Sequence, residues 1–401
     1  MSKKLPLEGL KVLDFTIALA GPFTAWQLAD MGAEVWKIER KGPGDQCRYW
    51  DPCVNGLSTL YMSYNKNKKS VEMNLGAIAG KEVIYEMVKQ CDVVIENFKS
   101  GSIDRLGLGY DKLKEINPKI VFLSLSGFGA SGPLKKYPCY DAIAEARSGF
   151  AASNGEMDGP PIKAGNCIGD TLSGLYGLNA LLMAMIEAKK SGEGCRIDAS
   201  MTDIGMQSCE ETIMDYALTG DAQARFGDHD RFTAPYGMFE ARDGWVVLVA
   251  DSEKRWADLC DALDLAELKA DPRFVDNAAR VANKAELVKI LEAKTITLKR
   301  AEIEKKLLAV DVPASSVLSF IEMYTSDHAN EVGLTQVIDQ PKIGLMRYYS
   351  NPLYFNDEQC KIRSGAALLG SNTTEVLQQL GYDEAAIAKL YEDGVVGASM
   401  I

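Results

Sequence analysis

Residues 11–40 read KVLDFTIALAGPFTAWQLADMGAEVWKIER. Lys11–Phe15 is a short apolar run, Val35–Ile38 is apolar and β-branched, and Pro22–Met31 between them reads as helix. Strand, helix, strand is the usual opening of an α/β domain. The first turn, Leu19-Ala20-Gly21-Pro22, puts Gly where a ligand can approach closely and Pro at a helix start. It is not Gly-x-Gly-x-x-Gly, so a dinucleotide such as NAD is not favoured.

The alternation continues outward from that stretch. Ser70–Leu75, Asp92–Glu96, Ile120–Leu125 and Cys195–Ala199 read as strands, with Lys81–Lys89, Leu113–Ile116, Asp141–Ala152 and Met201–Leu218 as helices. Such a chain builds a mostly parallel sheet covered on both faces, with ligands beyond the carboxyl ends of the strands. Arg40, Asn97 and Ser126 all follow strands and are placed to line one crevice. Lys66, Lys68 and Lys69 read as a solvated basic turn. Residues 220–235 are polar and irregular, a linker. Beyond them Trp245–Ala250, Glu253–Leu263, Ala285–Leu308 and Pro313–Val317 form a smaller α+β unit, in which Tyr236 and Met238 are expected in the core, the alternative being a face that selects the acyl group. The expected organisation is a large α/β domain over residues 1–220, a small one over 225–325, and a return to the large domain over 326–401. Thr373–Leu380 and Glu384–Glu392 are the helices of that return.

Composition narrows the function classes. The 401 residues are 47% hydrophobic and 25% charged, ordinary for a globular protein, and the net charge is −12 with no long basic run, which argues against nucleic acid. No uninterrupted apolar stretch approaches ~20 residues and no apolar segment opens the chain, so neither a membrane span nor a secretory signal is expected. Nine scattered cysteines without Cys-x-x-Cys spacing read as free thiols in a reducing cytoplasm. Only His229 and His328 are present, so His-based metal clusters and Ser-His or Cys-His triads have little to be built from.

One further stretch stands out. In Asn166–Cys195, Leu172, Leu175, Leu178, Leu182 and Met185 recur at helical spacing, Lys189 and Lys190 crowd the end, and Gly192 stops it. Asp170 follows Gly169 at the start. It is read either as an N-cap, bonded to the N–H of Leu172 or Ser173, or as a carboxylate nucleophile.

The chain resembles the class III coenzyme A-transferases, over nearly its whole length. The likeness is carried by residues 7–40, Asn65–Asn74, Val94–Gly107 and Gly169–Ser200 in that order. It implies a Rossmann-like large domain, a small α+β domain and an interlocked, chain-link homodimer. It implies acyl-CoA and small carboxylic acids as substrates, with no tightly bound cofactor. The family's catalytic aspartate matches Asp170. Its coenzyme A contacts match Leu19, Ala20, Arg40, Met73, Asn74, Leu75, Asn97, Phe98, Lys99, Arg105, Tyr140 and Met201. Of these, Arg40, Lys99 and Arg105 are suited to phosphate. Formyl-CoA transferases carry Gln where Leu19 stands and a Gly-rich loop that Phe232–Gly237 lacks, which points away from formyl and oxalate. L-carnitine CoA-transferases, members of the same family, also lack that loop. Related racemases have His where Tyr140 stands, and a Tyr of pKa near ~10 is a poor base at neutral pH. A carboxylate of reference pKa ~3.9 is already ionised there and attacks without a general base.

Overall fold

The computed structural model describes residues 5–220 and 225–401. The chain divides into two compact units: Met1–Phe150, Ala164–Glu210 and Asp327–Ile401 form the first, and Ala151–Lys163 with Glu211–Ser326 the second. Residues 151–163 and 211–220 thus belong with the smaller unit.

The first unit is built on strands β1 (Lys11–Asp14), β2 (Glu34–Arg40), β3 (Lys68–Met73), β4 (Val93–Glu96), β5 (Val121–Ser126) and β6 (Arg196–Ser200), with Val396–Gly397 at the edge. The order is Val396–Gly397, β3, β2, β1, β4, β5, β6. All neighbours are parallel except Val396–Gly397, which runs antiparallel to β3. This doubly wound order reverses between β1 and β4, the place where open α/β sheets bind ligands. The central strands are buried on both faces, which is why β1, β4 and β5 read as nearly continuous apolar runs. Helices α1 (Ala20–Asp30), α2 (Ile78–Val88), α3 (Asp141–Ser148), α4 (Ile168–Ser191) and α5 (Met201–Gln207) complete what concerns the site.

Several expectations are corrected. Residues 141–152 break at Gly149, whose φ of 90° ends α3, and residues 201–218 divide into α5 and α6 (Glu210–Thr219). Lys66 and Lys68 are buried, not solvated. Asp14, fully buried at the end of β1, draws Lys68 Nζ to 3.0 Å, because a carboxylate taken out of water needs a counter-charge. Lys66 lies over the Trp26 ring at 4.3 Å.

The buried stripe of α4 is not its leucine row. Gly169, Ser173, Gly174, Gly177 and Leu181 face inward, while Leu175 is exposed. By length and composition α4 is capable of crossing a bilayer, but its glycines bring it against neighbours in the first unit. A Cβ on Gly174 would stand 3.0 Å from the Ala20 carbonyl oxygen and 2.7 Å from the Phe23 ring, and one on Gly177 3.0 Å from Leu123.

The second unit carries a three-stranded antiparallel sheet of β7 (Tyr236–Ala241), β8 (Gly244–Val249) and β9 (Ala314–Ser316). Phe239, Val246 and Leu248 pack with Trp256, Leu259, Leu287, Leu291, Ile303 and Leu307 from its helices. Along β7 the inward residues are Gly237, Phe239 and Ala241, so Tyr236 and Met238 point to the open face and not into the core. The 221–224 part of the expected linker lies outside the described residues.

Because backbone and ring leave no room at Gly174, Gly174→Val is expected to cost about 1–3 kcal/mol by overpacking and to lower the urea midpoint of unfolding. An unchanged midpoint would show that α1 is free to give way.

Candidate active site at the carboxyl ends of the strands

Asp170 is the third residue of α4, and the N-cap position belongs to Cys167, which makes no side-chain cap. The capping role expected of Asp170 is therefore corrected. Its own N–H, one of the first-turn groups without an intrahelical partner, donates to Asp141 Oδ1 at 3.1 Å. Asp141 opens α3, so a neighbouring helix supplies the acceptor and the Asp170 carboxylate stays free. The backbone N–H of Ala20, first residue of α1, acts on that carboxylate and lowers its pKa. Thr24 Oγ1, one turn further along α1, donates to the Gly174 carbonyl at 2.9 Å and ties the two helices together.

Asp170 is half-buried, and its pKa is pushed up to about 7. Burial is the main cause and the Asp141 charge the second, with the Ala20 N–H pulling the other way. The full ionisation expected from the reference value gives way to a group that titrates near neutrality, and a more basic carboxylate is a better nucleophile. Side-chain donor atoms of Asp141, Cys167 and Asp170 lie within 4.8 Å of one another. The Cys139 thiol is pushed up to about 11, by burial and then by the charges of Asp170 and Asp141. The Tyr64 phenol is raised by burial, with Cys167 and Asp170 adding to it. Its ring packs on Phe23 and Trp26, with centroids at 6.2 and 5.9 Å.

Beyond the ends of β1, β2, β3 and β4 lies a cavity of about 650 Å³, whose lining includes Ile17, Arg40, Asn74, Leu75, Phe98 and Leu106. Arg40 is exposed at its mouth. Lys99 and Arg105 are also exposed, and Arg105 Nη2 donates to Ser102 Oγ at 2.9 Å. Leu19, Ala20, Met73 and Met201 are buried, so the Leu19, Met73 and Met201 side chains belong to the packing. Tyr140 is 60% exposed at the N-cap position of α3, next to Asp141. Asn97 uses both ends of its amide on Ile17: Oδ1 accepts from its N–H and Nδ2 donates to its carbonyl, each at 2.8 Å. Ser126 Oγ is buried without a hydrogen-bond partner.

The structure thus gathers Ala20, Tyr140 and Asp170 near Asp141, and Arg40, Asn74, Leu75 and Phe98 around the cavity. Sequence reasoning missed Asp141, Tyr64, Cys139 and Cys167. An acid directly after Tyr140 in a first helical turn was a usable signal for Asp141. Nothing local marks Tyr64, which arrives by aromatic packing.

The model of "CoA-transferase family III" matches residues 7–373 of this chain. The chain belongs to that family. It is a transferase, of a family whose substrates are CoA thioesters. It is 33% identical to the succinyl-CoA:glutarate CoA-transferase of Homo sapiens, across 99% of this chain and 91% of that one. It is 38% identical to the acetyl-CoA:oxalate CoA-transferase of Acetobacter aceti, across 72% and 75% of the two chains. Among solved structures, a CaiB/BaiF family protein from Brucella suis superposes with a TM-score of 0.85 at 31% identity, over 94% of this chain and 100% of that one.

Asp141→Asn keeps an oxygen for the Asp170 N–H and removes the neighbouring charge. The Asp170 carboxyl is then expected to titrate below the wild-type value of about 7, read by isotope-edited infrared spectroscopy of the carboxylate. An unmoved midpoint would leave burial as the sole cause.

Proposed function

We propose that this transferase moves coenzyme A from a donor acyl-CoA to a small dicarboxylic acid, with Asp170 as the covalent nucleophile. The observation that carries the reading is the free Asp170 carboxylate, made basic by burial and by Asp141 and faced by the Ala20 N–H. The acceptor class rests on the glutarate in the name of one relative and on the oxalate in that of another, the latter against the expectation drawn from Leu19 and Phe232–Gly237. Coenzyme A is assigned to the cavity at the strand ends. Arg40, Asn74, Leu75 and Phe98 line it, Lys99 and Arg105 offer charge to phosphate, and the buried Leu19, Met73 and Met201 contribute backbone.

The chemistry follows in four transfers. An Asp170 oxygen attacks the thioester carbonyl of the donor; the C–S bond breaks, leaving a mixed anhydride and CoA thiolate. The thiolate attacks the aspartyl carbonyl, and the donor acid departs with the bridging oxygen. The acceptor carboxylate then attacks the aspartyl-CoA thioester and expels the thiolate, forming a second anhydride. The thiolate takes the new acyl group and Asp170 is restored. When the aspartyl carbonyl is attacked, negative charge develops on the oxygen facing Ala20, where a backbone donor already waits. Because the helix's own Asp170 N–H is engaged by Asp141, the developing oxyanion is assigned to this donor from α1. Water must be kept from both activated species.

We further propose an interlocked homodimer in the cytoplasm. The nine free cysteines suit a reducing compartment, and light scattering is expected to give twice the chain mass.

Succinyl-CoA and acetyl-CoA are to be paired with glutarate, oxalate and monocarboxylates. Asp170→Asn is expected to fold, bind CoA and lose about a thousandfold or more in turnover. The wild-type rate should rise with pH through about 7, as Asp170 loses its proton. Full turnover by the Asn variant would remove the mechanism, and a preference for monocarboxylates would remove the acceptor class.

A further inference from the structure

The turn that delivers Ala20 to the nucleophile is held from behind. We propose that Asn97 and the buried Lys37–Asp45 ion pair are positioning residues, fixing this turn so that the start of α1 keeps its place against Gly174 on the helix that carries Asp170. The proposal rests on the reading of Asp170 as nucleophile.

Five backbone groups between Thr16 and Ala18 are engaged by side chains, four of them from outside the turn's own strand. Thr16 N–H donates to Asp14 Oδ1 at 2.9 Å, and the Thr16 carbonyl accepts from Lys37 Nζ at 2.7 Å. Asn97 brackets Ile17 on both sides. Ala18 N–H donates to Asp45 Oδ1 at 3.1 Å. Ala18 has φ of 63°, in the left-handed region that an L-residue adopts only when its surroundings hold it there. Immediately after Ala20 the packing is as close as glycine permits. A Cβ on Gly21 would stand 2.4 Å from Thr16 Cγ2 and 3.2 Å from Asn97 Cγ.

The ion pair has no evident purpose as a source of stability. Lys37 Nζ and Asp45 Oδ2 lie 3.0 Å apart with both side chains fully buried, and such pairs often contribute no more than apolar residues of the same volume. What they provide is direction. Asp45 is itself pinned, donating its N–H to Glu39 Oε1 at 3.0 Å and accepting from Cys47 N–H at 3.1 Å. Lys37 stands on β2, so the sheet sets where Thr16 and Ala18 lie. Asn97 does not line the neighbouring cavity, although Phe98 does. Its amide is oriented by Ile17, which makes positioning a better account of it than contact with coenzyme A.

The test is Asn97→Ala, with Asn97→Asp as the partial rescue because it keeps the acceptor for Ile17 N–H. Turnover, KM for acyl-CoA, calorimetric binding of free CoA, thermal unfolding and the CoA-sized mass adduct on Asp170 are measured for each, beginning with wild type. The Ala variant is expected to lose about 10- to 100-fold in kcat while CoA binding changes less than about twofold. Its acid limb should move to higher pH, since the Ala20 N–H no longer holds the Asp170 pKa down. Asn97→Asp should recover part of kcat, and Asp45→Asn should fall in the same direction. Weakened CoA binding with kcat intact would make Asn97 a ligand contact and overturn the proposal. So would a shift in melting alone. Absence of any adduct in wild type would instead sink the nucleophile reading, and would do so before a variant is compared.

Discussion

Two backbones meet where α4 has glycine. The Ala20 carbonyl occupies space that a Cβ on Gly174 would need, and Thr24 Oγ1 bonds the Gly174 carbonyl at 2.9 Å. Asp170 lies four residues before Gly174 on the same helical face, so this contact also sets where Asp170 stands relative to the first turn of α1. A helix from the start of the fold and one from its middle are joined closely enough for the Ala20 N–H to act on the Asp170 carboxylate. A larger residue at that one position would separate them.

Around this contact the charges are arranged in opposition. Burial and Asp141 raise the Asp170 pKa to about 7, and the Ala20 N–H lowers it. The balance yields a carboxylate basic enough to attack and still partly ionised at neutral pH. Behind it the paired charges Lys68–Asp14, Lys37–Asp45 and Arg48–Glu39 are all withdrawn from water. Arg48 and its neighbours hold Glu39 near the bottom of the carboxylate range, at about 2, against the burial that would raise it. These pairs stand at the ends of β1, β2 and β3, where irregular turns must be held still. The cost of desolvating them makes sense if placement of those turns is what they provide.

Much of the first unit was legible because its strands are covered on both faces, and nearly unbroken apolar runs such as Val121–Leu125 announce that. The α4 segment was recognisable as a helix, and Gly174 and Gly177 could be read as packing contacts, but its leucine row did not mark the inward face. Helical spacing of leucines identifies a core stripe only when large residues fill it, and here the core side is glycine and serine so that backbones can touch. Lys68 was misread for a related reason: the partner that buries it, Asp14, lies 54 residues away. Asp170 could be singled out from its place after Gly169 and from the resemblance. Its neighbours Asp141, Tyr64 and Cys139 come together only in the folded chain. The strand Tyr236–Ala241 was overlooked because its alternation exposes Tyr236 and Met238, which by hydrophobicity belong inside.

The claim at the centre of this mechanism is that an oxygen of Asp170 changes owner in every turnover. A single turnover with acceptor carrying ¹⁸O in its carboxylate, followed by mass measurement of the peptide containing Asp170, tests it most directly. One ¹⁸O should appear on Asp170, a gain of about 2 Da from the oxygen exchanged in the anhydride steps, and in the next turnover leave with the donor acid. Label passing from acceptor to donor acid while Asp170 stays unlabelled would mean that the two substrates react directly, and would contradict the covalent role of Asp170.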